Sequence, residues 1–172
     1  HTSYSAGSGS PREAFIYERD TAKIDFLALT EHNHSEALGS DGIGIGSNSA
    51  LYKGNGPDSL ISTARALTVN GRFIALYGQE FSTISSGNHM NVFDVGEVIN
   101  VQKGRFDLLM DFLNTNKDSG GKPAVVMLNH PNNSFSVSSK EYGFDDFGSD
   151  PNRWVNALRR HKSFINILNG PG

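Results

Sequence analysis

The chain predicts an α/β fold, either a sheet or a barrel, on three observations: short and uniformly apolar runs, amphipathic stretches between them, and polar residues gathered where the runs end or begin. Ile24-Asp25-Phe26-Leu27-Ala28-Leu29 runs into Thr30-Glu31-His32-Asn33-His34. Residues 72–77 run into Gln79-Glu80, and residues 124–128 into Asn129-His130-Pro131. The run 90–95 starts directly after His89, the run 164–168 leads into Asn169-Gly170, and a lone His1 opens the chain. Loops at the C-terminal ends of strands carry the chemistry of α/β enzymes, so ligand-type residues gathered at one sheet edge suggest a metal-dependent enzyme.

Each element has a local reason. Ser10-Pro11-Arg12-Glu13 places Ser at the N-cap, Pro at N1 and Glu at N3 of a helix over residues 11–23, with Ala14, Phe15 and Ala22 available for a buried face. Residues 25–30 are too short and too apolar for a surface helix and predict a buried parallel strand. Residues 36–56, rich in Gly, Ser and Asn, predict a long loop. A second helix over 57–69 buries Leu60, Ile61, Ala64 and Leu67 and ends at Asn70-Gly71. A strand then leads to Glu80. Residues 104–116 carry Phe106, Leu109, Met110 and Leu113 at helical spacing, and the strand to His130 follows Gly120-Gly121. A loop over 132–150, a helix near 151–160 and a last strand complete the series.

Length and composition fit one domain, residues 1–172, with a real core. The formal net charge is −3, and no Lys/Arg stripe supplies the electrostatic footprint of a nucleic-acid binder. Arg159-Arg160-His161-Lys162 follows an expected helix, where cations suit the C-terminal dipole. The absence of cysteine excludes disulfides and thiolate metal sites. No apolar stretch is long enough to cross a bilayer, and no signal-peptide core is present. A start on His1 without an initiator Met suggests that a preceding segment is missing, which leaves localisation and oligomeric state open.

Imidazole nitrogen and carboxylate oxygen suit Zn, Mn or Fe in hydrolytic sites. His1, His32, Glu80, His89 and His130 are too many ligands for one four-coordinate ion, so a multinuclear centre is expected. Any one histidine, taken alone, is more often a surface or hydrogen-bonded residue than a ligand. His32 and His34 alternate after the first strand, which favours one ligand and one substrate-facing group. Glu31 is a second carboxylate at the same edge, placed to orient a ligand histidine. Glu80 has a competing role as a cap or as the partner of an arginine.

These residues in this order resemble the PHP superfamily, named for polymerase and histidinol phosphatase. His1-Thr2-Ser3-Tyr4-Ser5-Ala6-Gly7 looks like the second half of that family's opening motif, Leu27-Ala28-Leu29-Thr30-Glu31-His32-Asn33 like its second, and Gly78-Gln79-Glu80 like its strand-end glutamate. Gly87-Asn88-His89-Met90-Asn91-Val92-Phe93 and Asn129-His130-Pro131 resemble the later histidine motifs. The Thr-Glu-His-Asn form and the long Gly/Ser loop are similar to the branch of carbaryl hydrolase-like metallohydrolases. The resemblance implies a distorted (β/α)7 barrel, here missing its first strand and last strands, in a domain truncated at both ends. It implies two or three divalent ions (Zn, Mn or Fe) at the barrel mouth. His1 would serve the first ion, Glu80 would bridge first and second, His89 and His130 would hold the second, His32 would serve the third, and His34 would act catalytically on the substrate. Ala6 departs from the motif's usual Asp, and the preceding histidine and closing Asp-x-His lie outside the chain.

The expected function is hydrolysis of a small-molecule phosphoester by a metal-activated water, with no nucleic acid or membrane partner. A carbamate, amide or ester hydrolase with the same centre is the alternative enzyme. A non-catalytic metal-binding domain is the alternative of another class.

Overall fold

A computed structural model of the chain describes residues 1–5, 7–33, 59–81, 89–99, 106–115, 124–129, 159 and 164–165. Helix α1 (Pro11–Tyr17) starts on the expected capping box, with the Ser10 side chain accepting from the Glu13 N–H and Glu13 reaching back to the Ser10 N–H. It widens into a π-helical segment, Glu18–Ala22, that ends at Lys23 in the left-handed region, φ 57°. The widened turn shifts the helical phase. Phe15, before that segment, is fully buried as expected, while Ala22, expected on the buried face, is turned out and exposed.

Strand β1 (Phe26–Asn33) continues through Glu31 and His32 because each of its residues is matched in parallel register on β2 (Ile74–Phe81), from Phe26 opposite Ile74 to Asn33 opposite Phe81. Between them lies α2 (Leu60–Leu67), capped by Ser59, whose side chain accepts from the Ser62 N–H. Its four expected core residues, Leu60, Ile61, Ala64 and Leu67, are all buried. The helix stops at Thr68, which turns extended, and Asn70-Gly71 forms the tip of a tight turn closed by the Val69 and Phe73 bridge, with Gly71 at φ 76°.

Strands β3 (Met90–Phe93) and β4 (Val125–Leu128), with α3 (Phe106–Thr115) between them in sequence, extend the sheet, and the two-residue β5 (Phe164–Ile165) pairs in parallel with β4. The order β1-β2-β3-β4-β5 is an open mixed sheet, and this corrects the (β/α)7 barrel implied by the family resemblance. Both β2–β3 and β3–β4 are antiparallel. For β2–β3 the reason is chain length: a parallel crossover needs roughly a dozen residues or more, and the link from Phe81 to Met90 is shorter than that. The chain must reverse there.

Helices α1, α2 and α3 contribute to cores on one face of the sheet. Phe15, Leu29, Leu60, Phe73 and Tyr77 form one cluster with α1 and α2, and Val92, Leu109, Leu113, Val126 and Leu128 form the other with α3. Side chains alternate along a strand, so Phe26, Ile74 and Leu76 lie on the opposite face, and there they are exposed. His32 and Glu80 stand farther along that same face. Among the described residues no helix is long and apolar enough to cross a membrane.

Candidate metal centre

His32 and Glu80 are register partners on β1 and β2, so their side chains share the helix-free face at the C-terminal end of the parallel pair. Gly78, two positions before Glu80, lets both neighbouring strands approach: a Cβ there would lie 2.7 Å from the Val92 carbonyl oxygen on β3 and 2.9 Å from the Thr30 Cγ2 on β1. His89 immediately precedes β3 and contacts Glu80 Oε1 through Nδ1. His32 Nδ1 lies 3.8 Å from the same oxygen, and His1 Nε2 lies 3.1 Å from Oε2. The two carboxylate oxygens thus face different imidazoles, with Glu80 at 4% exposure in the middle. The rings of His1 and His32 stack at 3.9 Å, and His89 meets His32 edge-on at 6.2 Å.

A buried carboxylate holds His1 in place from the other face of β1. Glu31, fully buried, accepts hydrogen bonds from the Thr2 N–H at 2.9 and 3.1 Å, from the Thr2 hydroxyl at 2.7 Å and from the Ser5 hydroxyl. Adjacent strand residues point to opposite faces, so Glu31 clamps the N-terminal segment on one side while His32 meets His1 on the other. Glu31, expected to orient a ligand histidine, instead grips the main chain beside His1. The segment closes on itself where Ser5 and Gly7 donate to the Thr2 carbonyl.

Gly7 is needed for that closure, because a Cβ would stand 2.3 Å from the His1 carbonyl oxygen and 2.9 Å from the Thr2 nitrogen. Gly7→Ala is expected to push His1 away from Glu80 at a cost of about 1–3 kcal/mol. Urea denaturation with the histidine C2 proton signals as a second readout checks this.

Electrostatics tie the group together. Burial is the largest influence on Glu80 and disfavours its charge, yet hydrogen bonds from His1 and His89 and the charge of both outweigh it, holding the carboxyl well below its ordinary 4.5. The hydrogen bond to Glu80 raises His1 above its ordinary 6.5 against the opposing effect of desolvation, helped by the charges of Glu80 and Glu31 and by the Thr30 backbone.

A raised histidine stabilises the fold fully below its unfolded value and ceases to do so as pH climbs through its folded one, whereas a lowered carboxylate stabilises above its unfolded value and fails as pH falls. The pair's contribution in metal-free protein is therefore greatest between pH 4.5 and 6.5 and declines on the alkaline side. Denaturation midpoints across that range should show the alkaline decline, and His1→Asn should flatten it.

One donor atom each from His1, His32 and Glu80 lie within 4.8 Å of one another. This nitrogen-and-oxygen set fits a borderline divalent ion, which would take the place of a proton on His1 beside Glu80. The grouping differs from the resemblance in one residue: there His1 and Glu80 share the first ion, whereas His32 belongs to the third. His89 adjoins the cluster through Glu80. His34 and His130 lie outside the described residues, as do the loops over 36–56 and 132–150. Thr2, Ser5 and Asn91 were not singled out by motif. Only the proximity of Thr2 and Ser5 to His1 could have flagged the first two. Compared with protein-family models, curated proteins and solved structures, the chain matches none.

Proposed function

We propose that the chain is a metal-dependent hydrolase, a phosphoesterase related to the PHP superfamily. The observation that carries this reading is the convergence of His1, His32 and His89 on the buried carboxylate of Glu80, four residues from four separate sequence motifs in the order of the family pattern. His1, His32, Glu80 and His89 would hold the metal. When bound, a divalent ion supplies Lewis-acid polarisation and a water acidic enough to ionise near neutral pH. Glu80 provides the negative charge that attracts cations to the sheet edge, and its burial keeps bulk water from screening that charge. The rings of His1 and His32 stack, which holds the two imidazoles side by side next to Glu80. Glu31 maintains His1 at the site by securing Thr2.

Purified protein dialysed against a chelator and reloaded with Zn, Mn or Fe should hydrolyse a phosphomonoester or diester only in the loaded form. A panel including carbamates, amides and carboxylic esters identifies the bond cleaved. Absence of metal-dependent turnover on every member would refute the proposal.

A further inference from the structure

We infer that the side-chain oxygen of Asn91 is an additional ligand atom of the centre, an oxygen donor to the divalent ion that Glu80 and the histidines would hold. The inference rests on the metal-dependent reading above and deepens it. Asn91 is the register partner of Glu80 on β3, so the two side chains stand side by side on the helix-free face. It is 6% exposed, and its Nδ2 donates to Asn129 Oδ1 at 3.2 Å. Its Oδ1 is buried without a hydrogen-bond partner among the described residues.

Such an atom needs a reason, because buried polar groups are nearly always paired and an unpaired one costs about 1–3 kcal/mol. Reversing the Asn91 amide alone does not help: with Asn129 presenting its oxygen, the reversal would set two oxygens against each other. The bond to Asn129 therefore fixes Asn91 with its acceptor turned away from that partner. A residue chosen for packing alone would be apolar at this depth, and Asn91 is 6% exposed. A cation beside Glu80 supplies the missing partner. Carboxamide oxygen is a harder donor than imidazole, so its participation shifts preference from Zn toward Mn.

Asn91→Leu and Asn91→Asp, titrated with Mn and Zn against a fluorescent chelator and melted metal-free, separate the possibilities. Asn91→Leu should weaken Mn binding by about 10-fold or more, affect Zn less, and leave metal-free stability unchanged or higher. Asn91→Asp should bind Mn more tightly than the parent even though it gives up its donor to Asn129. Parent-like Mn affinity in both variants would overturn the ligand assignment while the metal-dependent reading stands. Equal weakening in both, with a loss of metal-free stability, would show that Asn91 serves only to pair with Asn129. A parent protein that binds neither ion would overturn this inference and the proposed function together.

Discussion

Glu80→Gln should eliminate metal-dependent turnover and weaken divalent-ion binding by more than about 100-fold. Residues that merely orient a ligand are worth about 10–100-fold in affinity or activity, and Glu80 is the group on which the other candidate ligands converge. His1 faces one of its oxygens, and His32 and His89 face the other. Glutamine keeps the shape and burial but presents an amide N–H₂ where an imidazole now finds an acceptor. The metal-free fold is also expected to lose the stability window between pH 4.5 and 6.5, since that window depends on an ionised Glu80 beside a protonated His1. Chelator competition together with a pH series of denaturation midpoints checks both effects. A glutamine variant that retains parent metal affinity would remove Glu80 from the centre.

Glu31→Gln should destabilise the fold by about 3 kcal/mol and weaken metal binding indirectly. Hydrogen bonds to a charged acceptor contribute about 1.5–3 kcal/mol each, and a buried donor left without an acceptor adds its desolvation cost. The substitution turns one acceptor oxygen into a donor, against the Thr2 N–H, the Thr2 hydroxyl and the Ser5 hydroxyl. Not all three can be satisfied. Release of residues 1–5 then carries His1 away from Glu80. Two measurements distinguish this from a general loss of packing: hydrogen exchange at the Thr2 amide should accelerate, while exchange along β2 and α2 should change only with global stability. Protection of the Thr2 amide equal to that in the parent would contradict the clamp.

Much of this arrangement was legible because it is local. The Ser10 and Glu13 capping box, the buried stripe Leu60, Ile61, Ala64 and Leu67, and the parallel strand before Thr30 all follow from residues close together in sequence. The ligand-type residues His1, His32, Glu80 and His89 were legible for a related reason, since each sits where an apolar run or the chain itself begins or ends. Alternating strands and helices leave sheet and barrel equally open because they say nothing about strand direction, and the barrel implied by the resemblance fails where the short link before Met90 reverses the chain. That link length was itself present in the sequence. The Glu31 clamp was not legible, because its partners lie 26 and 29 residues away and only the wrapping of the N-terminal segment around the end of β1 brings them together. Asn91 was hidden differently. An asparagine within an apolar strand has no sequence signature until the register sets it opposite Glu80.

Anomalous diffraction from crystals of the intact chain grown with Mn or Zn, collected on either side of each metal's absorption edge, addresses the centre most directly. A peak at coordination distance from Glu80 and at least two of His1, His32 and His89 is expected, about 2.0–2.2 Å for zinc to nitrogen or carboxylate oxygen. No peak at Glu80 in metal-saturated crystals, or a peak held by other residues alone, would contradict the metal centre.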